Sequence, residues 1–202
     1  MSETAASSVD GGLLVGAGIH KNFGALTVLD GVNFTLAAAG AVGVVGPNGA
    51  GKTTLLNVLA GAYRPSAGNV YFKGADVTAF GAAQRCRLGI ARSHQIPRPF
   101  GGMTVFENCL VAATTGASLS GEHAYQRCVE ALELSQMLHV ANRRAETLGL
   151  LDRKRLELAR ALATDPQVLL LDEIGGGLTD EEANRLFRVM HPEHRPEELT
   201  PL

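Results

Sequence analysis

The stretch from Gly46 to Thr54 carries residue types that bind polyphosphate. Its sequence, GPNGAGKTT, fits the pattern G-x-x-x-x-G-K-[ST] and lies between an apolar run at 41–45 and a largely apolar segment at 55–60. A strand, a glycine-rich turn and a helix N-terminus in this order are the context in which that pattern forms a phosphate-binding loop. The glycines let consecutive backbone N–H groups point at an anion, and the helix dipole adds positive potential at the same place.

Two side chains extend this anion site to a nucleotide site. Lys52 supplies a positive charge for the β- and γ-phosphates, and the Thr53 hydroxyl is suited to bind Mg²⁺. The predicted nucleotide-binding residues are Gly46, Pro47, Asn48, Gly49, Ala50, Gly51, Lys52, Thr53 and Thr54. The alternative is a glycine-rich turn with an incidental lysine, which the flanking strand and helix patterns disfavour.

A second pair of reactive side chains follows another apolar run. Residues 168–171 read Val-Leu-Leu-Leu, which is typical of a strand buried in a parallel sheet, and Asp172 and Glu173 come directly after it. Carboxylates at the carboxyl end of a parallel strand are costly unless a cation or a reaction requires them. We therefore expect Asp172 to hold Mg²⁺ through its water shell and Glu173 to polarise an attacking water as general base. Two solvated acids at the start of a loop are the alternative.

Hydrophobic periodicity predicts the elements that position these groups. Strands are predicted at 13–18, 32–36, 41–45, 69–72, 89–92 and 168–171. Helices are predicted at 51–60, 79–88, 104–113, 121–138, 152–163 and 181–190. Thr104 and Glu107 have capping-box spacing at the start of one helix. The pattern indicates an α/β core holding the phosphate loop and strand 168–171, with a helical insert at about 96–155.

Composition narrows the class of protein. The chain has 202 residues and a net charge of −2 with both signs interspersed, which argues against nucleic acid as the main partner. Cys86, Cys109 and Cys128 lack C-x-x-C spacing and are interpreted as reduced, partly buried thiols of a cytosolic protein, with a metal or redox site as the alternative. No apolar run approaches the roughly 18 residues of a membrane span. Residues 1–12 lack a signal-peptide pattern and are expected to be a disordered tail.

These motifs together resemble a known family. The phosphate loop, Gln95, the helix at 153–163 and the run 169–173 resemble the ATP-binding subunits of ABC transporters, over about 13–188. The phosphate loop, residues 89–92 and residues 99–108 look like those of the branched-chain amino-acid importer group.

The resemblance implies a fold class and a division into domains. The fold class is α/β, a P-loop NTPase core of ABC type whose mixed sheet has N-terminal antiparallel strands, with an α-helical subdomain. The implied division is a disordered tail at 1–12, a nucleotide-binding core at 13–95 and 156–190, a helical subdomain with a degenerate signature loop at 96–155, and an atypical tail at 191–202.

The resemblance also implies roles for further residues. Phe23 matches the aromatic residue that stacks on adenine; as an alternative it is a core phenylalanine at a strand end. Gln95 matches the glutamine that contacts Mg²⁺ and the attacking water, where the transport subunit docks, and alone it would be an ordinary loop residue. Residues 177–180 match the segment that crosses to the partner subunit, and in isolation Thr179 or Asp180 would cap a helix.

The function implied is that of an ATP-hydrolysing subunit of an importer for branched-chain or similar amino acids, with ATP and Mg²⁺ as cofactors. Its expected place is the cytoplasm, peripheral on the inner face of the cell membrane. The expected partners are membrane permease subunits, a second ATP-binding subunit that is identical or related, and indirectly a solute-binding protein. The solute is implied by resemblance alone.

Two departures from the family pattern keep an alternative open. The family signature Leu-Ser-Gly-Gly-Gln is replaced by residues 148–152, Leu-Gly-Leu-Leu-Asp, which lack the serine hydroxyl and carry an extra negative charge. Residues 191–202 contain three prolines and three glutamates and do not predict the strand that precedes the family's switch histidine, so His191 and His194 are not assigned that role. The alternative function is a non-catalytic nucleotide-binding partner or a truncated remnant with impaired hydrolysis. An unrelated phosphate-loop kinase or GTPase is disfavoured, because the Asn-Lys-x-Asp base reader of a GTPase is lacking.

Overall fold

The computed structural model describes residues 12–93 and 96–172, and the chain divides into two compact units with the boundary between Arg85 and Cys86. Residues 1–11 of the predicted N-terminal tail, the segment at 177–180, the helix at 181–190, the tail at 191–202, Gln95 and Glu173 lie outside the described residues, whereas Gly12 begins the first strand. Within the described ranges, no helix combines the length and the apolar character needed to cross a membrane. The domain division inferred from the sequence stays a prediction.

The first unit is built on an antiparallel sheet. Its strands are β1 (Gly12–Phe23), β2 (Leu26–Ala37), β3 (Ala67–Phe72) and β4 (Ala75–Asp76), and their order in the sheet is β2-β1-β3-β4. The predicted strands at 13–18, 32–36 and 69–72 lie within β1, β2 and β3, so the N-terminal antiparallel strands are confirmed. Helix α1 (Lys52–Leu59) buries Leu55, Leu56, Val58 and Leu59, the apolar stripe that its sequence predicts.

The prediction of a strand at 41–45 is wrong. Residues 41–45 belong to no strand among the described residues, and Val45 is 93% exposed. A fully apolar run becomes a buried strand only where a neighbouring strand hydrogen-bonds to it and both faces are covered. In the described part of this unit, residues 41–45 do not pair with any of the strands β1 to β4. The apolar run therefore leads into the phosphate loop as exposed chain outside the described strands.

The second unit combines helices with a short parallel sheet. Helix α2 (Ala82–Arg87) spans the boundary, and strands β5 (Ile90–Arg92) and β6 (Val168–Leu170) pair in parallel. Between these strands come α3 (Val105–Gly116), α4 (Gly121–Leu134) and α5 (Leu150–Ala163). The three helices share a core that includes Cys109, Cys128, Leu132, Met137 and Leu156.

Local signals in this unit had mixed outcomes. The predicted capping box is confirmed, because the Glu107 N–H donates to Thr104 Oγ1 at 3.1 Å and the Thr104 N–H donates to Glu107 Oε2 at 2.7 Å. The predicted helix 121–138 ends earlier, at Leu134, because Gln136 takes a positive φ of 57° that a helix does not tolerate.

The cysteines are free, as expected. Cys109 and Cys128 are buried and Cys86 is half-buried. Burial raises the pKa of the Cys128 thiol to about 11 and raises the pKa of Cys109 further. Both buried thiols are therefore uncharged packing groups at neutral pH.

Arg85 fixes the end of α1 that lies opposite the phosphate loop. This side chain is fully buried and donates to the backbone carbonyls of Val58 and Leu59, both at 2.8 Å, in the last turn of α1. It also donates to the carbonyls of Val77, Thr78 and Phe80. Burial lowers the pKa of Arg85 to about 10, so the guanidinium is still charged at neutral pH. A cation at this position suits the negative end of the helix dipole.

We expect the Arg85→Met substitution to lower the free energy of unfolding by about 3 kcal/mol or more, because it removes several buried hydrogen bonds to backbone carbonyls. Urea denaturation measures this change. Arg87→Met is the matched control on the same helix, since Arg87 is exposed, and it should have little effect. Equal losses in the two variants would contradict the role given to Arg85.

Candidate functional site

The phosphate loop adopts a conformation that only glycine permits at its end. Gly49 and Gly51 have positive φ values of 83° and 88°, and Gly51 is the N-cap of α1. A Cβ atom on Gly51 would lie 3.0 Å from the Val28 carbonyl oxygen and from Leu29 Cδ2. Conformation and space together therefore exclude other residues, and the loop enters the helix close to β2.

Lys52 is held by its own loop. Its Nζ donates to the carbonyl oxygens of Gly46 at 2.6 Å and Pro47 at 2.9 Å. The loop therefore curls so that its first carbonyls meet the ammonium of its last lysine. Thr53 follows in the first turn of α1, where helix N–H groups favour an anion. The arrangement suits capture of a polyphosphate.

An aromatic pair with a cation lies at the end of β1. Phe23 is 43% exposed, its ring centroid is 5.4 Å from that of Tyr63, and the two rings meet edge to face. Lys21 Nζ lies 5.0 Å from the Phe23 centroid and donates to the Arg64 carbonyl at 2.9 Å. Sequence reasoning selected Phe23 and missed Tyr63 and Lys21. The position of Tyr63 just past α1 is the signal that was available.

In the second unit, Asp172 is buried and ion-paired. It lies two residues after β6, and its Oδ2 is 3.1 Å from Arg92 Nη2 at the end of β5. The two side chains are only 4% and 10% exposed, respectively. The Asp172 N–H also donates to Ser93 Oγ at 3.4 Å. Sequence reasoning missed Arg92, because its contact with Asp172 depends on the register of two strands that are far apart in the chain.

The segment that follows Gln95 is anchored to two helices. Buried Glu157 on α5 accepts a hydrogen bond from the Arg98 N–H at 2.8 Å and one from Arg160 Nη1 at 2.9 Å. Arg160 Nη1 also donates a hydrogen bond to the Arg98 carbonyl oxygen at 3.0 Å. On α3, Asn108 accepts from the Phe100 N–H and donates to the Phe100 carbonyl. Residues 98–100 are thus fixed by their backbone on both sides.

Residues 148–152, which are predicted to form a degenerate signature loop, present apolar side chains. Leu148 is buried, Gly149 caps α5 without a side-chain hydrogen bond, and Leu150 is 69% exposed. Asp152 lies in the first turn of α5. Arg153 holds the preceding chain by donating to the Leu148 carbonyl at 2.9 Å and the Glu146 carbonyl at 3.0 Å. A negative charge beside exposed leucines is a poor surface for a phosphate.

The oxygen donors of the chain are suited to Mg²⁺. Asp172 provides a carboxylate that its ion pair keeps in place, and Thr53 provides a hydroxyl; both are hard oxygen ligands of the kind that Mg²⁺ prefers. The structure describes the phosphate loop and Phe23 in the first unit and Asp172 in the second.

Comparison with known proteins gives consistent matches. Residues 29–175 match the family model described as ABC transporter. The chain is 36% identical over 183 residues to the high-affinity branched-chain amino acid transport ATP-binding protein LivG of Escherichia coli K12, covering 84% of this chain and 72% of that protein. It is 34% identical over 184 residues to BraF of Pseudomonas aeruginosa, a protein described in the same words, with the same coverage of both chains.

A solved structure agrees with these relatives. The crystal structure of the ADP conformation of MJ1267, an ATP-binding cassette of an ABC transporter, superposes with a TM-score of 0.76 at 30% identity. The match covers 90% of this chain and 78% of that chain. The fold class expected from the sequence, an ATP-binding cassette of mixed α/β structure, is confirmed.

We expect Glu157→Ala to speed amide hydrogen exchange at Arg98 by about tenfold, because the Arg98 N–H loses its acceptor and Arg160 loses its charged partner. Exchange measured by NMR or mass spectrometry on residues 96–104 checks this. Glu130→Ala is the control, since Glu130 is the exposed partner of Arg127 on α4. Unchanged exchange in the Glu157 variant would contradict the anchoring role.

Proposed function

This chain belongs to the ABC transporter family, and from that premise we propose that it is the ATP-binding and ATP-hydrolysing subunit of an importer for branched-chain or similar amino acids. The observation that carries the proposal is the phosphate loop, closed around Lys52 at the N-terminus of α1. The solute is inferred from LivG and BraF, whose names specify branched-chain amino acid transport.

The phosphates of ATP bind in the loop from Gly46 to Thr54. Lys52 exchanges its two carbonyl partners for β- and γ-phosphate oxygens, and the loop N–H groups donate hydrogen bonds to the other phosphate oxygens. Thr53, Gln95 and Asp172 are the residues that would hold Mg²⁺, which would supply positive charge against the phosphates. Glu173 accepts a proton from the attacking water, and Gln95 positions that water.

The adenine ring stacks on Phe23. This side chain has an exposed face, and Tyr63 supports its ring from the edge. Lys21, which lies beside both rings, adds positive potential near the nucleotide. Stacking against an aromatic face tolerates any base, so this contact supplies affinity more than base selectivity.

A second ATP-binding subunit completes the sites. In the paired arrangement, each phosphate loop faces the signature loop of the other subunit. The loop at 148–152 lacks the serine hydroxyl, so the site that uses it is the weaker of the two. A related subunit with an intact signature loop would complete the site on this chain's own phosphate loop.

The permease docks near Gln95 on the helical part of the second unit. Ile96, Phe100 and Met103 follow Gln95 and are exposed apolar side chains, which suit contact with a membrane partner. This docking holds the subunit on the inner face of the cell membrane. The solute-binding protein acts through the permease and does not contact this chain.

One observation favours a second candidate function. The exposed leucines and Asp152 at the start of α5 disfavour phosphate binding. Such a surface is expected in a nucleotide-binding partner that does not take part in catalysis. Mixing with a competent cassette separates the two functions, because only a hydrolytic subunit loses activity when its own Glu173 is changed to Gln.

We expect the purified chain to bind Mg-ATP, and Lys52→Met to weaken that binding at least about tenfold, because a charge-assisted bond to phosphate is lost. Calorimetry measures the affinity, and Lys73→Met is the control on an exposed lysine of the first unit. Turnover at or above about 1 s⁻¹ that Glu173→Gln abolishes supports the hydrolytic subunit. Binding without turnover, alone and with a competent partner, would support the non-catalytic candidate instead.

We expect Phe23→Ala to weaken ATP binding about tenfold while leaving tripolyphosphate binding unchanged, because only the base contact is lost. Phe23→Trp should retain affinity. Phe80→Ala, on another exposed phenylalanine of the first unit, is the matched control. If Phe23→Ala weakened tripolyphosphate binding equally, the side chain would act on the fold and the adenine contact would be rejected.

A further inference from the structure

The ion pair between Arg92 and Asp172 joins the ends of the two parallel strands. Arg92 is the last residue of β5, and the sheet register places it beside Leu170, two residues before Asp172. The Ser93 N–H continues the pairing by donating to the Leu170 carbonyl at 3.0 Å. The backbone of the two strands thus sets the positions from which both side chains reach each other.

The burial of this pair gives it weight. An exposed ion pair contributes little to stability because water screens it. The Asp172 carboxylate is only 4% exposed, and burying such a group costs free energy unless a cation lies beside it. In the absence of a metal, Arg92 supplies that cation at 3.1 Å. Asp172 is therefore neutralised before any metal arrives.

A divalent cation at the same carboxylate would meet a positive charge already present. Two cations near one buried carboxylate repel each other, and weak screening in the interior strengthens the repulsion. Binding of the metal must therefore displace the guanidinium from Asp172 or accept its repulsion. Either way, the ion pair opposes metal binding.

We propose that Arg92 is a resident counter-ion of Asp172 that competes with the divalent cation and so raises the metal concentration needed to occupy this carboxylate. The proposal rests on the proposed function, in which Asp172 is a metal ligand. Arg92 acts through Asp172 and is a positioning residue. It holds the metal-free carboxylate in place through the ion pair, and it lowers the affinity for metal without nucleotide.

The test measures metal affinity directly. Mn²⁺ binding to the full chain is followed by electron paramagnetic resonance, with and without a non-hydrolysable ATP analogue. In Arg92→Gln, the side chain stays polar but carries no charge, so we expect the Mn²⁺ dissociation constant to fall at least about fivefold. Arg92→Lys, which restores the charge, should return the constant towards the wild-type value.

A control separates charge at the site from general loss of an ion pair. Arg127→Gln removes a half-buried arginine of the same unit, which pairs with Asp165 and Glu130. Arg127 itself lies 45 residues before Asp172 in the sequence. Its Mn²⁺ affinity should match the wild type. Equal tightening in Arg127→Gln, or unchanged or weaker Mn²⁺ binding in Arg92→Gln, would overturn the proposal.

Two outcomes keep the test decisive if folding is affected. If Arg92→Gln folds only with Mn²⁺ and nucleotide, the rescue supports the proposal, and failure of the metal to rescue it overturns the proposal. The double variant Arg92→Gln/Asp172→Asn, which removes both charges, is expected to fold without metal and to lose the Mn²⁺ site. If the wild type binds the nucleotide analogue but no Mn²⁺, the metal site of the proposed function fails and the inference with it.

Discussion

Buried charge is the constraint on which the structure depends most. Arg85, Glu157 and Asp172 are each nearly or fully inaccessible to water, and each must find a partner or destabilise the fold. Arg85 meets backbone carbonyls and ends α1, whereas Glu157 meets an N–H and an arginine and fixes residues 98–100. Asp172 meets Arg92. Three separate parts of the chain are thus held in position by the need to neutralise or hydrogen-bond a charge.

This constraint connects the folding of the chain with its chemistry. The groups proposed to handle nucleotide stand at ends of elements: Phe23 ends β1, Lys52 begins α1 and Asp172 follows β6. Element ends carry unpaired backbone dipoles and allow a side chain to face a ligand while its neighbours remain buried. The packed interior therefore holds the ends of the helices and strands in place, and the side chains at those ends are the ones available to a ligand.

Local signals in the sequence predicted local structure well. The phosphate loop, the capping box of Thr104 and Glu107 and the apolar strand β6 all depend on residues close together in the chain, and all appear in the structure. The strand at 41–45 did not, because a strand requires a hydrogen-bonded neighbour that its own sequence does not specify. The pairing of Arg92 with Asp172 spans 80 residues and depends on the register of two strands, so no local pattern predicts it.

The hydrogen bonds of Lys52 to its own loop have a consequence for ligand selection. The Gly46 and Pro47 carbonyls take two of the three donors of the ammonium, so each further phosphate oxygen that Lys52 binds must replace one of these bonds, and only the excess appears as affinity. A ligand with a single phosphate presents few oxygens to replace them, whereas a longer phosphate chain replaces them and adds contacts to the loop amides. We therefore expect the carbonyl bonds of Lys52 to favour longer phosphate chains over single phosphates, independently of the base.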